Sequence, residues 1–188
     1  SSFLFSPFES SAILTVDGVG EHATTCLWKG EGTEITLLKT INYPHSIGLL
    51  YAAFTAYLGF RVNSGEYKVM GLAAFGTPRF TEECERMVRC FPDGSYELNL
   101  RYFAHHTDTE FGFSAAMEKC LGPRRDPTRP WNLETSEDQR YADIAASLQC
   151  LTQKLMLNLA RAAKVQTGSE YLCLAGGVAL NCVANTHL

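Results

Sequence analysis

The sequence predicts an α/β domain: three strands at the N-terminal end, a helical middle, then one strand that leads into a helix. Three observations carry this. Ile13–Lys39 reads as a β-meander cut by glycine turns. Arg140–Lys164 carries Ile144, Leu148, Leu151, Leu155 and Leu159 at helical spacing. The apolar run Tyr171–Ala175 feeds directly into Gly176–Gly177, as in a buried strand ending in a tight turn.

Taken in order, the meander consists of Ile13–Val16, Ala23–Trp28 and Glu34–Lys39. Asp17-Gly18-Val19-Gly20 joins the first two as a hairpin with an acidic residue at its mouth, and Gly30–Gly32 separates the second from the third. Pro44 marks a turn over Asn42–Ser46. Ser46–Leu58 reads as a helix, with Ile47, Leu50, Phe54 and Leu58 near one face, Ser46 as N-cap and Gly59 as stop. Glu66–Ala74 and Thr81–Cys90 read as two further helices. Pro92-Asp93-Gly94 is a turn before a strand over Tyr96–Phe103, and Gly122–Pro130 reads as an exposed, charged loop. Thr167-Gly168-Ser169 ends the long helix, and a helix start is expected after Gly177.

The 188 residues suffice for one domain with a sizeable core, and 46% hydrophobic with 19% charged residues is ordinary globular composition. The net charge of −4 and the lack of a basic stripe argue against nucleic acid as a partner. No apolar run reaches membrane-spanning length, and SSFLFSPFES lacks the basic n-region of a secretion signal. The seven cysteines form no C-x-x-C pair, which argues against a cysteine zinc site and fits reduced thiols in a cytoplasmic protein. The chain starts without Met almost on top of a strand and ends early in a helix, so it is expected to be a piece of a longer protein.

Two glycine turns are the candidate ligand sites. At Gly18 and Gly20, paired backbone amides make a concave anion site. At Gly176–Gly177, the absence of Cβ lets a ligand approach the chain, and the amides of the following helix start attract anions. Together they suit two loops facing one nucleotide, without a P-loop and without a Rossmann setting. Asp17 starts the hairpin turn, a common role for Asp. Glu66 and Lys68 read as a solvated helix start of mixed charge. His105, His106 and Asp108 read as a polar loop after a strand, or with Asp108 as a base near an acceptor hydroxyl. Arg124 and Arg125 read as solvated loop arginines or as a phosphate clamp.

Four stretches, DGVGEHATT (17–25), YPHSIGLLYAAFTAYLGF (43–60), GEYKVMGLAAFG (65–76) and LCLAGGVALNCVAN (172–185), together resemble the nodulation-type O-carbamoyltransferases, the NodU/CmcH family. That family is similar in core fold to the proteins that make threonylcarbamoyl-adenosine on tRNA, within the actin-like ATPase superfamily. The resemblance implies an actin-like (ribonuclease H-like) lobe: a mixed sheet with an opening β-meander and flanking helices. It implies that 1–188 is a single domain, the second lobe of a carbamoyltransferase domain. The first lobe, with the family's histidine metal motif, and a C-terminal adenylate-forming domain would lie outside it.

By the same resemblance Asp17 is a metal ligand (Fe or Mg), Glu66 holds ribose hydroxyls, and Lys68 neutralises phosphate or the carbamoyl phosphate end. Gly18, Gly20, Gly176, Gly177 and Asn181 then line the nucleotide. The implied reaction uses ATP and carbamoyl phosphate to form a carbamoyl-adenylate, whose carbamoyl group passes to a sugar or antibiotic hydroxyl. The 188 residues alone are expected to be inactive, since one ligand does not hold a catalytic metal. His22 stands where the family is expected to carry an aromatic residue. An actin-like small-molecule kinase or ATPase, and a non-catalytic domain of the same fold, are the alternatives.

Overall fold

A computed structural model describes residues 2–107 and 112–188. In chain order the strands are β1 (Ser10–Val16), β2 (Ala23–Glu31), β3 (Glu34–Asn42), β4 (Val88–Cys90), β5 (Tyr96–Leu98) and β6 (Leu172–Ala175). The helices are α1 (Ile47–Tyr57), α2 (Glu66–Ala73), α3 (Thr81–Glu85), α4 (Ala115–Leu121), α5 (Ser136–Thr167) and α6 (Cys182–Asn185), with a 3-10 turn over Gly177–Leu180. The chain divides into two compact units. The first holds the chain up to Gly48, Cys90–Glu97 and Lys154–Leu188; the second holds Leu49–Arg89 and Leu98–Gln153.

In the first unit the sheet runs in the order β3-β2-β1-β6. β1, β2 and β3 are antiparallel, and β6 lies parallel to β1. This is the expected mixed sheet with an opening meander. Strand periodicity sends successive side chains to opposite faces. Ile13 packs with Phe3 and Cys173, flanked by Phe8 and Trp28. Its neighbour Leu14 points the other way and, with Leu27 and Ile41, lines a small cleft closed by Leu159 and Ala162 of α5. That helix ends where Gly168, at φ +69°, takes the left-handed conformation and its N–H returns to the Lys164 carbonyl at 2.9 Å.

The second unit buries Leu50, Phe54 and Tyr57 of α1, Leu58 just after it, Val69 of α2, Met117 of α4, and Tyr141, Ile144 and Leu148 of α5. The Gly122–Pro130 loop departs from its expected solvation, because Arg125 is 2% exposed. Its guanidinium lies 3.6 Å from the Trp131 ring centroid and its Nε donates to Asp138 Oδ1 at 3.4 Å. The planar cation thus acts as a stacking core residue, with its charge met by a buried carboxylate, and is not a phosphate clamp.

Local pairing overrides propensity in the middle of the chain. The expected helix over Thr81–Cys90 stops at Glu85, because Val88–Cys90 pairs with Tyr96–Leu98 around the Pro92-Asp93-Gly94 turn. The expected strand over Tyr96–Phe103 ends at Leu98, since its partner strand is only Val88–Cys90. Helix α4 was not expected, although Ser114 caps it by accepting the Ala116 N–H at 3.2 Å. Helix α5 begins at Ser136 rather than Arg140, where Thr135 Oγ1 accepts the Asp138 N–H at 3.2 Å.

Candidate functional site

The parallel pairing of β1 with β6 decides where the two glycine turns lie. Thr15 is level with Ala175, so both strands run out at the same end of the sheet. Asp17–Gly18 and Gly176–Gly177 therefore emerge side by side, at the strand ends where α/β sheets open their ligand crevices. The close approach needs Gly176. Its φ is +94°, and a Cβ there would lie 2.2 Å from the Val16 carbonyl oxygen. At Gly177 a Cβ would stand 3.2 Å from Asp17 Oδ1, so the carboxylate faces bare backbone.

The Asp17–Gly20 loop is tied at both ends. Asp17 N–H donates to the Thr24 carbonyl at 2.9 Å and Gly20 N–H to the Ala23 carbonyl at 3.1 Å. Asp17 Oδ1 accepts the Gly18 N–H at 2.8 Å, as Asp does in a turn. The start of α1 presses on the loop: a Cβ on Gly48 would lie 2.6 Å from Gly18 N. The Ser46 hydroxyl, fully buried, reaches the carbonyl oxygens of Asp17 at 2.9 Å and Gly18 at 2.6 Å. On the remaining side, a Cβ on Gly18 would meet nothing within 4 Å, so no described neighbour demands a glycine there.

Behind the loop, the two threonines after Ala23 anchor strand β2. Thr24 Oγ1 donates to the Ile41 carbonyl at 3.1 Å and the His45 carbonyl at 2.5 Å. Thr25 Oγ1 shares a 2.9 Å hydrogen bond with the Tyr96 hydroxyl, which accepts the Ile47 N–H at 3.1 Å. Ile47 N–H opens α1 and has no intrahelical partner. Burial pushes the Tyr96 phenol above its ordinary value, against the pull of its Thr25 and Ile47 hydrogen bonds, so it remains neutral.

The other expected site residues have distinct places. Asn181 Oδ1 caps α6 by accepting the Ala184 N–H at 3.0 Å. In the second unit, Glu66 closes the turn before α2: Oε1 accepts the Asn63 N–H at 2.8 Å and Oε2 the Gly65 N–H at 3.1 Å. Each oxygen keeps a lone pair. Lys68 is exposed, with Nζ 5.9 Å from the Tyr67 ring centroid. Nearby, burial and the Glu66 charge push the Tyr51 phenol well above its ordinary value. His105 and His106 meet edge to face at 5.9 Å, and Asp108 lies outside the described residues.

Asp17 supplies one acidic oxygen pair, and among the described residues no three His, Cys, Asp or Glu come together as metal ligands. The described residues alone therefore do not fit a metal site. No helix among them is long and apolar enough to cross a membrane. Residue-by-residue reading missed Ser46, Gly48 and Tyr96. Ser46 and Gly48 sit in the YPHSIG stretch and were legible only as a cap and a helix residue, while Tyr96 carries no local signal.

Residues 1–188 match, along their whole length, the family described as Carbamoyltransferase N-terminus. The chain belongs to this family. It is 47% identical over 189 residues to an uncharacterized protein of Synechocystis sp., covering 100% of this chain and 30% of that protein. It is 34% identical over 194 residues to nodulation protein NolNO of Sinorhizobium fredii, covering 100% of this chain and 25% of that protein. Against nodulation protein NolO of Bradyrhizobium diazoefficiens it is 32% identical over 189 residues, covering 100% of this chain and 31% of that protein. The chain thus spans between a quarter and a third of the length of these relatives.

Proposed function

We propose that the complete protein is an O-carbamoyltransferase and that residues 1–188 form one actin-like lobe of its carbamoyl-transfer domain. Family membership and the mixed sheet, with β6 parallel to β1 beside an antiparallel meander, support the lobe reading. The observation that carries the site is the convergence of Asp17–Gly18 and Gly176–Gly177 at one end of the β1/β6 pair. In this reading the cleft takes ATP. The Val19 N–H, the loop amide outside the bonds described above, is the donor offered to phosphate, and the bare Gly176–Gly177 backbone lies against the nucleoside.

Water cleaves carbamoyl phosphate to carbamate and phosphate, and a carbamate oxygen then displaces pyrophosphate from the α-phosphorus of ATP, giving the carbamoyl-adenylate. The acceptor hydroxyl, on a sugar or a natural product, attacks the carbamoyl carbon, loses its proton and releases AMP. Hydrogen-bond donors at the carbamoyl oxygen stabilise the charge that develops there. Asp108 is the candidate base for the hydroxyl proton. Any metal would take its other ligands from residues beyond this chain. An enzyme that draws on ATP and carbamoyl phosphate would work in the cytoplasm, which is the location this reading carries.

The test incubates the complete protein with ATP, carbamoyl phosphate and a panel of hydroxyl acceptors, with mass spectrometry of the products. A carbamoylated product that needs both ATP and carbamoyl phosphate is expected. Phosphorylated acceptor formed without carbamoyl phosphate would replace this reading with a kinase. Intact protein that neither binds ATP nor forms product would replace it with a non-catalytic domain.

A further inference from the structure

We infer that Tyr96 and Ser46 are positioning residues for the Asp17–Gly20 loop, acting through the start of α1; the functional part of this inference rests on the nucleotide-site reading above. Little else holds the loop among the described residues. Its own bonds fix its ends, at Asp17 N–H and Gly20 N–H, and among the described residues the Asp17 carboxylate bonds only to the adjacent Gly18 N–H. The face of Gly18 is set from outside, by Gly48, whose approach leaves no room for a Cβ, and by the Ser46 hydroxyl, whose one proton is shared between the Asp17 and Gly18 carbonyls. Carbonyls held this way fix the orientation of their peptide planes, and with them the direction of the Gly18 N–H, bonded to Asp17, and of the Val19 N–H.

The position of Ser46 and Gly48 is in turn set by two anchors on β2. Thr24 holds the His45 carbonyl, and Tyr96 holds the Ile47 N–H while bonded to Thr25. Ser46 lies between these two anchored residues. The path therefore runs from Thr25 through the Tyr96 hydroxyl to Ile47, then to Ser46 and Gly48, and ends on Gly18. Tyr96 and Thr25 are both buried, at 2% and 3% exposure, so no solvent competes for these bonds. The A-T-T run after the loop and the H-S-I-G run before α1 are thereby one mechanical assembly. Tyr96 arrives in it from the hairpin β4–β5.

Removing the Tyr96 hydroxyl leaves the Ile47 N–H and the Thr25 hydroxyl buried without that partner, and α1 shifts to satisfy them. Preorganised amides are worth most when their direction is already correct, so a small displacement weakens anion binding more than it weakens the fold.

The experiment compares wild type, Tyr96→Phe and Ser46→Ala in the complete protein, labelled with 15N-glycine. The amide signals of Gly18 and Gly48 report the loop, and Gly32, in the β2–β3 turn at the opposite end of β2, is the control. Both variants are expected to shift or broaden Gly18 while leaving Gly32 in place. A Gly18 signal unchanged in both variants overturns the inference. Ser46→Ala leaves the Tyr96 core intact, so it decides the matter should Tyr96→Phe fail to fold. ATP titration then follows by calorimetry. Affinity is expected to fall about tenfold in each variant, the loss expected when one hydrogen bond positions a site. Wild-type affinity alongside a displaced Gly18 would overturn the functional part. A wild type that binds no ATP would sink the nucleotide-site reading alone, because the glycine signals still decide whether Tyr96 and Ser46 hold the loop.

Discussion

The Asp17 carboxylate faces the bare α-carbon of Gly177: a side chain begun there would stand 3.2 Å from Oδ1. Asp17 follows β1 and Gly177 follows β6, so the pair exists only because those strands lie parallel and in register from Ala12 with Leu172 to Thr15 with Ala175. The relationship joins the acidic residue to the second glycine turn, the proposed place of ligand contact.

Gly177→Val places two methyl groups between that carboxylate and the turn. Its backbone is not left-handed, so the substitution carries no conformational strain of its own. Thermal melting is expected to stay within a few degrees of wild type, roughly the shift of a 1 kcal/mol change. ATP binding is expected to be lost. A variant of normal ATP affinity would remove Gly177 from the site.

Gly18→Ala separates packing from recognition. The added methyl meets nothing within 4 Å, so stability is expected to change by less than about 1 kcal/mol. If phosphate lies against this face, the methyl displaces it and ATP affinity falls. Equal affinity for wild type and variant would place the phosphate elsewhere.

Gly176→Ala should behave in the opposite way. The φ of +94° and the 2.2 Å approach to the Val16 carbonyl leave no room for a methyl, and the β1–β6 pair must open. A loss of about 3 kcal/mol or more is expected in urea melts, from backbone strain together with overpacking. A near-neutral melt would contradict the close approach.

Asp17→Asn keeps an oxygen that can accept the Gly18 N–H and removes the charge a metal requires. In the complete protein, elemental analysis is expected to find less bound divalent metal in this variant while the loop persists. Undiminished metal would return Asp17 to a turn-forming role.

The buried pair Asp138–Arg125 gives the second unit a pH dependence of stability. Burial raises the Asp138 carboxyl, but the Asn132 N–H and the Arg129 and Arg125 guanidiniums outweigh it and hold it below its ordinary value of 3.8. A depressed carboxyl stabilises fully above the unfolded value, and that contribution fades as pH falls through the folded one. Asp138→Asn is expected to cost about 3 kcal/mol at neutral pH, by leaving Arg125 buried without its counter-charge. The gap between wild type and variant should narrow below pH 3.8. A gap independent of pH would show that the charge plays no part.

Much was legible in local patterns. Alternation and glycine punctuation marked β1, β2, β3 and β6, and a 3.6-residue apolar period marked α5, because these signals arise from neighbouring residues on one face. The glycine turns at Asp17–Gly20 and Gly176–Gly177 were also recognisable as turns. Their adjacency was not. Asp17 and Gly177 meet through strand pairing between distant segments, and no local spacing encodes a partner so far along the chain. The same reason hid the conversion of Val88–Cys90 from helix to strand, which needs Tyr96–Leu98 as its partner.

Residue type also conceals environment. Arg125 and Arg124 look alike in sequence, yet one is buried against Trp131 and Asp138 and the other is exposed. Ser46 reads as a helix cap until the fold sets the Asp17 and Gly18 carbonyls above it. The sequence by itself determined the element types, the two glycine turns and the family motifs, all written in contiguous residues. Only the tertiary structure decided which turns face each other, which polar groups are buried together and how Tyr96 reaches Gly18, because those depend on long-range pairing and on the desolvation that close packing imposes.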